Sequence, residues 1–390
     1  MKKVNVKKQL DIIKRGTQDF IGFDEIKKKI KSGRKLNVKF GADPTAPELH
    51  LGHTVVMEKL RAFQELGHNV TFIIGDFTAR IGDPSGRTKE RPVLTDDEIQ
   101  KSVDGYKKQI FKVISRKNIK IMKNSKWLDK LGTVGIIRLA SSYTVARMLE
   151  RNDFSKRYEE GNPISITEFL YPLLQGYDSI ELNSDIEIGG TDQKFNLLVG
   201  RELQKSRGQS PQAVLTMPLL EGTDGVKKMS KSYGNHIGID EPPSEIYGKV
   251  MSISDELMLK YYRLLTTADM DRVQQMHPLE AKKQLAFTLV EKYHGKKEAQ
   301  KAAEEFERVF SKGKEPENIA ETRKVKEGEK IVNLICGVFS SYSKSDVKRL
   351  IKQGAVSINS EKISFPGYRF DGSEEGILKV GKKDFIRLEK

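Results

Sequence analysis

Cysteine is nearly absent from this chain. Cys336 is the single example among 390 residues, which excludes an intrachain disulfide framework. Histidine is scarce too, six in all, and no Cys/His cluster has the spacing of a zinc site. No window comes near the roughly 20 consecutive apolar residues of a membrane-spanning helix. The first residues, Met1 to Leu10, are basic but lack the apolar stretch of a secretory signal. Internal repeats and low-complexity runs are missing. The expectation is a cytoplasmic protein with no membrane association, in which Cys336 is a small core residue. Acid is in deficit: 54 Asp+Glu face 69 Lys+Arg, a formal net charge of +15. An excess of that size points to a polyanionic partner, nucleic acid first, although a lysine-rich solubilising surface gives the same balance.

Two short strings that are present carry chemistry that belongs together. His50-Leu51-Gly52-His53 places two imidazoles three residues apart, on one face if a helix begins there, and Pro44, Pro47 and Glu48 just before fit a helix start. A helix N-terminus attracts phosphate, and the glycine lets backbone approach a ligand closely. Lys228-Met229-Ser230-Lys231-Ser232 lies between Gly225 and Gly234, which implies a mobile loop able to close over a triphosphate. The plainer readings are two surface histidines at a loop–helix junction and a solvated basic turn. Both strings suit a nucleoside triphosphate, whose charge grows as a phosphoryl bond breaks.

The pattern around them is α/β. The first 35 residues read as helical, 36–40 as a strand, 50–66 as a helix and 69–75 as a near-continuous apolar strand. Strand, helix and strand in succession make a βαβ unit with a right-handed crossover, and so a Rossmann-type parallel sheet. Ligands of such sheets bind beyond the carboxyl ends of the strands. Asp43, Thr45, His50 and His53 follow the first strand, and Asp76, Thr78 and Asp83 follow the second, so all fall on one edge. Residues 85–180 read as a mostly helical connection, 185–189 and 213–217 as further strands, and 244–325 as helical, with charged linkers at 313–317 and 324–329. From about 330 a compact unit is expected, with a helix opened by Ser343 and stopped by Gly354, then strands at 356–358 and 385–388. Tyr171, Gln175 and Asp178 are spaced four and three, hence on one helix face. A buried carboxylate there can accept a phenol O–H while the other two orient an ammonium; a core polar network is the plainer alternative.

The two strings resemble the HIGH and KMSKS signatures of class I aminoacyl-tRNA synthetases, the first as the variant HLGH and the second in full. The Tyr171/Gln175/Asp178 face is similar to the tyrosine-binding helix of the tyrosyl-tRNA synthetases. Residues 41–45, 82–87 and 189–193 are similar to three further segments of that family, and the resemblance runs from about 36 to 235. It implies a tyrosine–tRNA ligase that makes tyrosyl-adenylate from tyrosine and ATP and then charges tRNA(Tyr). By that resemblance Thr45, His50, His53, Arg87, Arg91, Lys228 and Lys231 would act on the phosphates and ribose. Asp43, Gly52, Gly190, Asp192, Gln193, Met229, Ser230 and Ser232 would line the ATP site. Thr78, Asp83, Tyr171, Gln175 and Asp178 would hold tyrosine. Mg²⁺ would travel with ATP, with no metal site or tightly bound cofactor of the protein's own. The tail looks like an S4-type RNA-binding domain in which Lys344, Lys348, Arg349 and Lys352 meet RNA phosphates.

The implied domains are 1–235 catalytic, 236–325 helical on the anticodon side, and 330–390 S4-like. A homodimer is also implied, with the apolar set within 127–150 as its face. One position departs from the family pattern. Many tyrosyl enzymes carry a Tyr that helps to read the phenol where this chain has Lys39; the chain resembles a second subgroup with such a lysine and an S4 tail. The phenol then falls to Asp178, with Lys39 pairing with a carboxylate or pointing elsewhere. The competing readings are a tryptophanyl-type enzyme on the same scaffold, a non-catalytic RNA-binding paralogue, and a nucleotidyltransferase that adenylates a small acid.

Overall fold

The computed structural model describes residues 5–44, 48–85, 95–308, 322–339, 342–359, 361–370, 375–381 and 384–389. Thr45, Arg87, Arg91 and the linker at 313–317 lie outside the described residues. The chain divides into two compact units, Met1–Lys296 and Lys297–Lys390.

The first unit is built on six strands: β1 (Asp19–Ile21), β2 (Asn37–Ala42), β3 (Asn69–Ile74), β4 (Ile119–Lys123), β5 (Ile186–Gly190) and β6 (Ala213–Met217). Their order is β1-β6-β5-β2-β3-β4. All neighbours run parallel except β1, which is antiparallel to β6. The chain winds outward from β2 through β3 to β4, then returns to the other side of β2 with β5 and β6. The order therefore reverses between β2 and β5, where an α/β sheet of the Rossmann type opens its ligand crevice. Phe72, Ile73 and Ile74 on β3 are fully buried, as both-sided covering of a parallel strand requires. The helix Leu51–Glu65 follows β2 and buries Leu51, Leu60 and Phe63 completely against the sheet, each worth about 1.5–3 kcal/mol.

Two strands of this sheet were not visible in the sequence pattern. Asp19–Ile21 sits in the stretch expected to be helical, but Gly16 and Gly22 both take positive φ, 69° and 80°, the first just past the end of one helix and the second just before the start of the next. Ile119–Lys123 lies inside the expected helical connection and pairs with β3 as an edge strand. Five residues are too few for a period to separate strand from helix. The helices from Pro243 to His294, which the sequence assigns to a separate domain, belong to the first compact unit. Lys292 and Tyr293 of Pro278–His294 explain this: Lys292 pairs with Glu58 at 2.5 Å, and Tyr293 donates to Thr54 at 3.3 Å, both on the helix Leu51–Glu65.

The second unit has a five-stranded sheet, β7 (Thr322–Lys324), β8 (Val356–Ile358), β9 (Glu361–Lys362), β10 (Gly376–Val380) and β11 (Asp384–Glu389), in the order β7-β11-β10-β8-β9. Lys324, expected in a linker, ends β7 and pairs with Glu389. The helices Ile331–Val338 and Lys344–Lys352 pack on a core that includes Ile335, Val347, Ile351 and Leu378. Ser343 caps the second of them as expected, accepting from the Asp346 N–H at 3.2 Å. Cys336 is only half-buried, on the flank of this core rather than in it.

Candidate active site

His50 is the N-cap of the helix Leu51–Glu65. Its backbone N–H donates to Nδ1 of His53 at 3.2 Å, which places the His53 proton on Nε2. The two rings lie 3.9 Å apart, centre to centre. Burial pushes His50 down to about 2, helped by the neighbouring His53 and His236, and pushes His53 down to about 4. Both are therefore neutral N–H donors at physiological pH. Nδ1 of His50 is buried with no hydrogen-bond partner among the described residues. Gly52 makes the arrangement possible: a Cβ there would stand 3.0 Å from the His50 ring and 3.5 Å from Cβ of Met229. The turn is also clipped to the chain beyond the lysine string, since Leu51 N–H donates to Ile237 O at 2.9 Å and Ile239 N–H to Leu49 O at 3.0 Å.

The lysine string is laced internally. Asn235 accepts from the Ser230 N–H at 2.9 Å and donates to Asp224 at 3.0 Å and to the Lys228 carbonyl at 3.3 Å. Gly222 leaves the space for it, because a Cβ there would fall 2.2 Å from Cγ of Asn235. Ser230 and Ser232 share a hydroxyl contact of 2.8 Å, and Met229 is buried. The two lysines reach opposite walls: Lys228 lies 3.5 Å from Asp192, and Lys231 lies 2.5 Å from Glu48. Burial raises the Asp192 carboxyl against the pull of Lys228. Gly190 ends β5 just before it, and a Cβ on Gly190 would stand 2.6 Å from Oδ1 of Asp192. The histidine turn, Asp192 and both lysines thus converge on the carboxyl edge of the sheet.

A second set of groups fills the crevice beside β2. Asp43 accepts from Thr78 Oγ1 at 2.7 Å and from the Tyr171 hydroxyl at 2.9 Å. Asp178 is buried and accepts from Trp127 Nε1 at 2.7 Å, with the Asn124 amide at 3.5 Å. Its burial, opposed mainly by the charge of Lys39, pushes its carboxyl up to about 7. Gln175 donates to Glu187 at 3.1 Å and accepts from Asn196 at 3.1 Å; Asn196 also reaches Gln193 at 3.1 Å, and Gln193 donates to Asp83 at 2.6 Å. Tyr171, Gln175 and Asp178 all sit on the helix Ile166–Glu181. Lys39 does pair with a carboxylate: its Nζ is 2.9 Å from Glu187, and both side chains are 1% exposed.

Trp127, Asn124, Glu187, Asn196 and Glu48 were not among the residues that the sequence placed at the site. Asn124 and Trp127 follow the unrecognised strand β4, so nothing placed them on the site edge. Glu187 did leave a signal, being a lone charge between Ile186 and Ile188 in a buried strand, just as Lys39 is in β2. Lys344, Lys348, Arg349 and Lys352 are all exposed on one helix of the second unit, Arg349 making a 3.2 Å pair with Asp346. Among the described residues no cluster of His, Cys, Asp and Glu could hold a metal ion, and no helix is long and apolar enough to cross a membrane.

A family model described as class I tRNA synthetases (W and Y) matches residues 31–311. The chain is 51% identical over 395 residues to the tyrosine–tRNA ligase of Oleidesulfovibrio alaskensis, covering 99% of each protein. It is 50% identical over 384 residues to that of Aquifex aeolicus, covering 97% of this chain and 98% of the relative. Among solved structures, the tyrosyl-tRNA synthetase of Archaeoglobus fulgidus complexed with L-tyrosine superposes with a TM-score of 0.64 at 23% identity, over 77% of this chain and 100% of that one.

Proposed function

The chain belongs to the class I tRNA synthetases (W and Y), and from that premise we propose how its residues divide the work. The enzyme is a tyrosine–tRNA ligase, with ATP as its second substrate. Tyrosine's carboxylate attacks the α-phosphorus of ATP, giving tyrosyl-adenylate and pyrophosphate. A ribose hydroxyl at the 3′ end of tRNA(Tyr) then attacks the acyl carbon and releases AMP. The carboxylate is already a nucleophile, so the first step needs no side-chain base; its catalysis is positioning and charge stabilisation.

Asp178 is the acceptor for the substrate phenol, and its burial beside the Trp127 and Asn124 donors is the observation that carries the tyrosine assignment. A buried acceptor left unpaired penalises phenylalanine heavily, so discrimination needs no editing domain. Asp83, Thr78, Tyr171 and Gln175 hold the ammonium end. His50 with Thr45 meets the γ-phosphate, His53 faces the ribose or adenine, and Asp192 faces the ribose. Lys228, Lys231, Arg87 and Arg91 neutralise the departing pyrophosphate, whose Mg²⁺ arrives with ATP and which needs no cofactor held by the protein. Asp43, Gly52, Gly190, Gln193, Met229, Ser230 and Ser232 complete the ATP walls.

The chain falls in the subgroup with a lysine at the usual phenol-contact position and an S4-type tail, supported by Lys39 and by the exposed basic helix Lys344–Lys352. In functional terms residues 1–235 are catalytic, 236–325 serve the anticodon side of tRNA and 330–390 bind RNA. The working form is a cytoplasmic homodimer; Val134, Ile137 and Val145, each 62% exposed, support a face between 127 and 150. Lys231→Ala tests the phosphate assignment: tyrosine-dependent ATP–pyrophosphate exchange should slow about a hundredfold, the scale of one lost charge-stabilising donor. Unchanged exchange would leave the lysine string a mere turn.

A further inference from the structure

A lysine buried inside a parallel sheet is expensive unless its charge is matched and its protons are used. Lys39 meets both conditions. The β2–β5 register sets it directly opposite Glu187. Its Nζ lies 2.9 Å from Oε1 of Glu187 and donates to the Gln175 carbonyl at 3.2 Å. Glu187 in turn accepts from Gln175 Nε2 at 3.1 Å, from Ser179 at 3.1 Å and from Gln212 at 2.5 Å. One ion pair thus fixes both the backbone and the side chain of Gln175, a single helical turn before Asp178.

We propose that Lys39 is the specificity-setting positioning residue of the tyrosine pocket: held between Glu187 and Gln175, its ammonium keeps Asp178 a phenol acceptor. The proposal rests on the tyrosine-ligase reading of the same site. The groups facing Asp178 are Lys39 from β2, Glu187 from β5, and the Trp127 indole and Asn124 amide from the segment after β4. Lys39 favours the carboxylate and Glu187 opposes it, while burial pushes the group up to about 7. Near that point the balance of the two neighbours decides whether Asp178 accepts or donates. A substrate phenol brings its own proton and needs an acceptor; a protonated Asp178 welcomes phenylalanine almost as well.

Trp127 is the chain's only tryptophan and its indole N–H is bonded to Asp178, so its fluorescence reads the ionisation of that carboxyl without any substrate. The full-length protein is titrated with pH as wild type, Lys39→Met, Glu187→Gln and Asp178→Asn. The expected result is a wild-type midpoint that moves up by about one unit in Lys39→Met, moves down in Glu187→Gln and vanishes in Asp178→Asn. In exchange assays near neutral pH, Lys39→Met should raise the KM for tyrosine about tenfold, leave the KM for ATP in place, and recover as pH rises. A role confined to holding the fold cannot move two partners of one ion pair in opposite directions, nor be rescued by alkali.

Should Lys39→Met fail to fold, the double variant Lys39→Met/Glu187→Gln contains no lone buried charge. Its midpoint should lie above that of Glu187→Gln alone, because removing Lys39 withdraws a charge that favours the carboxylate. Shifts in one direction for both single variants, or a double-variant midpoint at or below that of Glu187→Gln, overturn the proposal. Wild-type protein inactive with tyrosine would instead overturn the ligase reading while leaving the fluorescence result standing.

Discussion

Asp178→Asn should make this protein more stable and less active at once. The substitution keeps the shape of the side chain and leaves an oxygen to accept from Trp127, whose N–H now lies 2.7 Å from the carboxylate. What it removes is a buried acid whose carboxyl folding raises from 3.8 to about 7. The unfolded chain releases that proton near 4, the folded chain only near 7. Wild-type stability therefore falls as pH rises through that window and is lowest above it. Asparagine has no proton to lose, so the variant's advantage is absent below the window and complete above it. The ceiling is about 4 kcal/mol, and with the weak Asn124 contact given up about 2 kcal/mol should remain. A difference of that size raises the melting temperature by about 4 °C at pH 8 and by almost nothing at pH 4. At pH 8, where wild-type Asp178 is ionised, kcat/KM for tyrosine in pyrophosphate exchange should fall about a hundredfold or more, because the phenol proton loses its acceptor. A variant less stable than wild type at pH 8, or one that keeps its tyrosine kcat/KM, would refute the reasoning.

Gly222→Ala places a methyl 2.2 Å from Cγ of Asn235 and must displace the amide that laces Ser230 and Lys228. The KM for ATP should rise about tenfold while the KM for tyrosine stays, which separates loop geometry from the amino-acid pocket. Lys348→Ala and Lys352→Ala remove exposed charges from the helix Lys344–Lys352. Each should raise the KM for tRNA and flatten its dependence on salt, lowering the logarithmic slope by about one.

The sequence reveals most where a period or a ligand-shaped string is long enough to be distinctive. The helix Leu51–Glu65 and the strand Asn69–Ile74 show in their apolar spacing, and the two signature strings fall at their ends. The Tyr171/Gln175/Asp178 face is legible because helical spacing brings the three together wherever the helix packs. The partners that complete the pocket are not legible, since they come from distant segments. Asp43 meets Tyr171 across 128 residues, and Asp178 meets Trp127 from beyond a strand too short to be recognised. Glu48 differs: it lies next to the first signature, but its contact with Lys231 depends on how the lysine string folds back. Lys39 stands between these cases. Its place in an apolar strand signals a buried partner, and only the β2–β5 register identifies Glu187.

The most direct measurement is the charging of total bacterial tRNA by the purified full-length chain with tyrosine, tryptophan and phenylalanine in parallel. Tyrosine alone should become esterified to tRNA, with ATP consumed in step and phenylalanine rejected by about four orders of magnitude or more. Charging with tryptophan, or pyrophosphate exchange without any charging, would contradict the assignment.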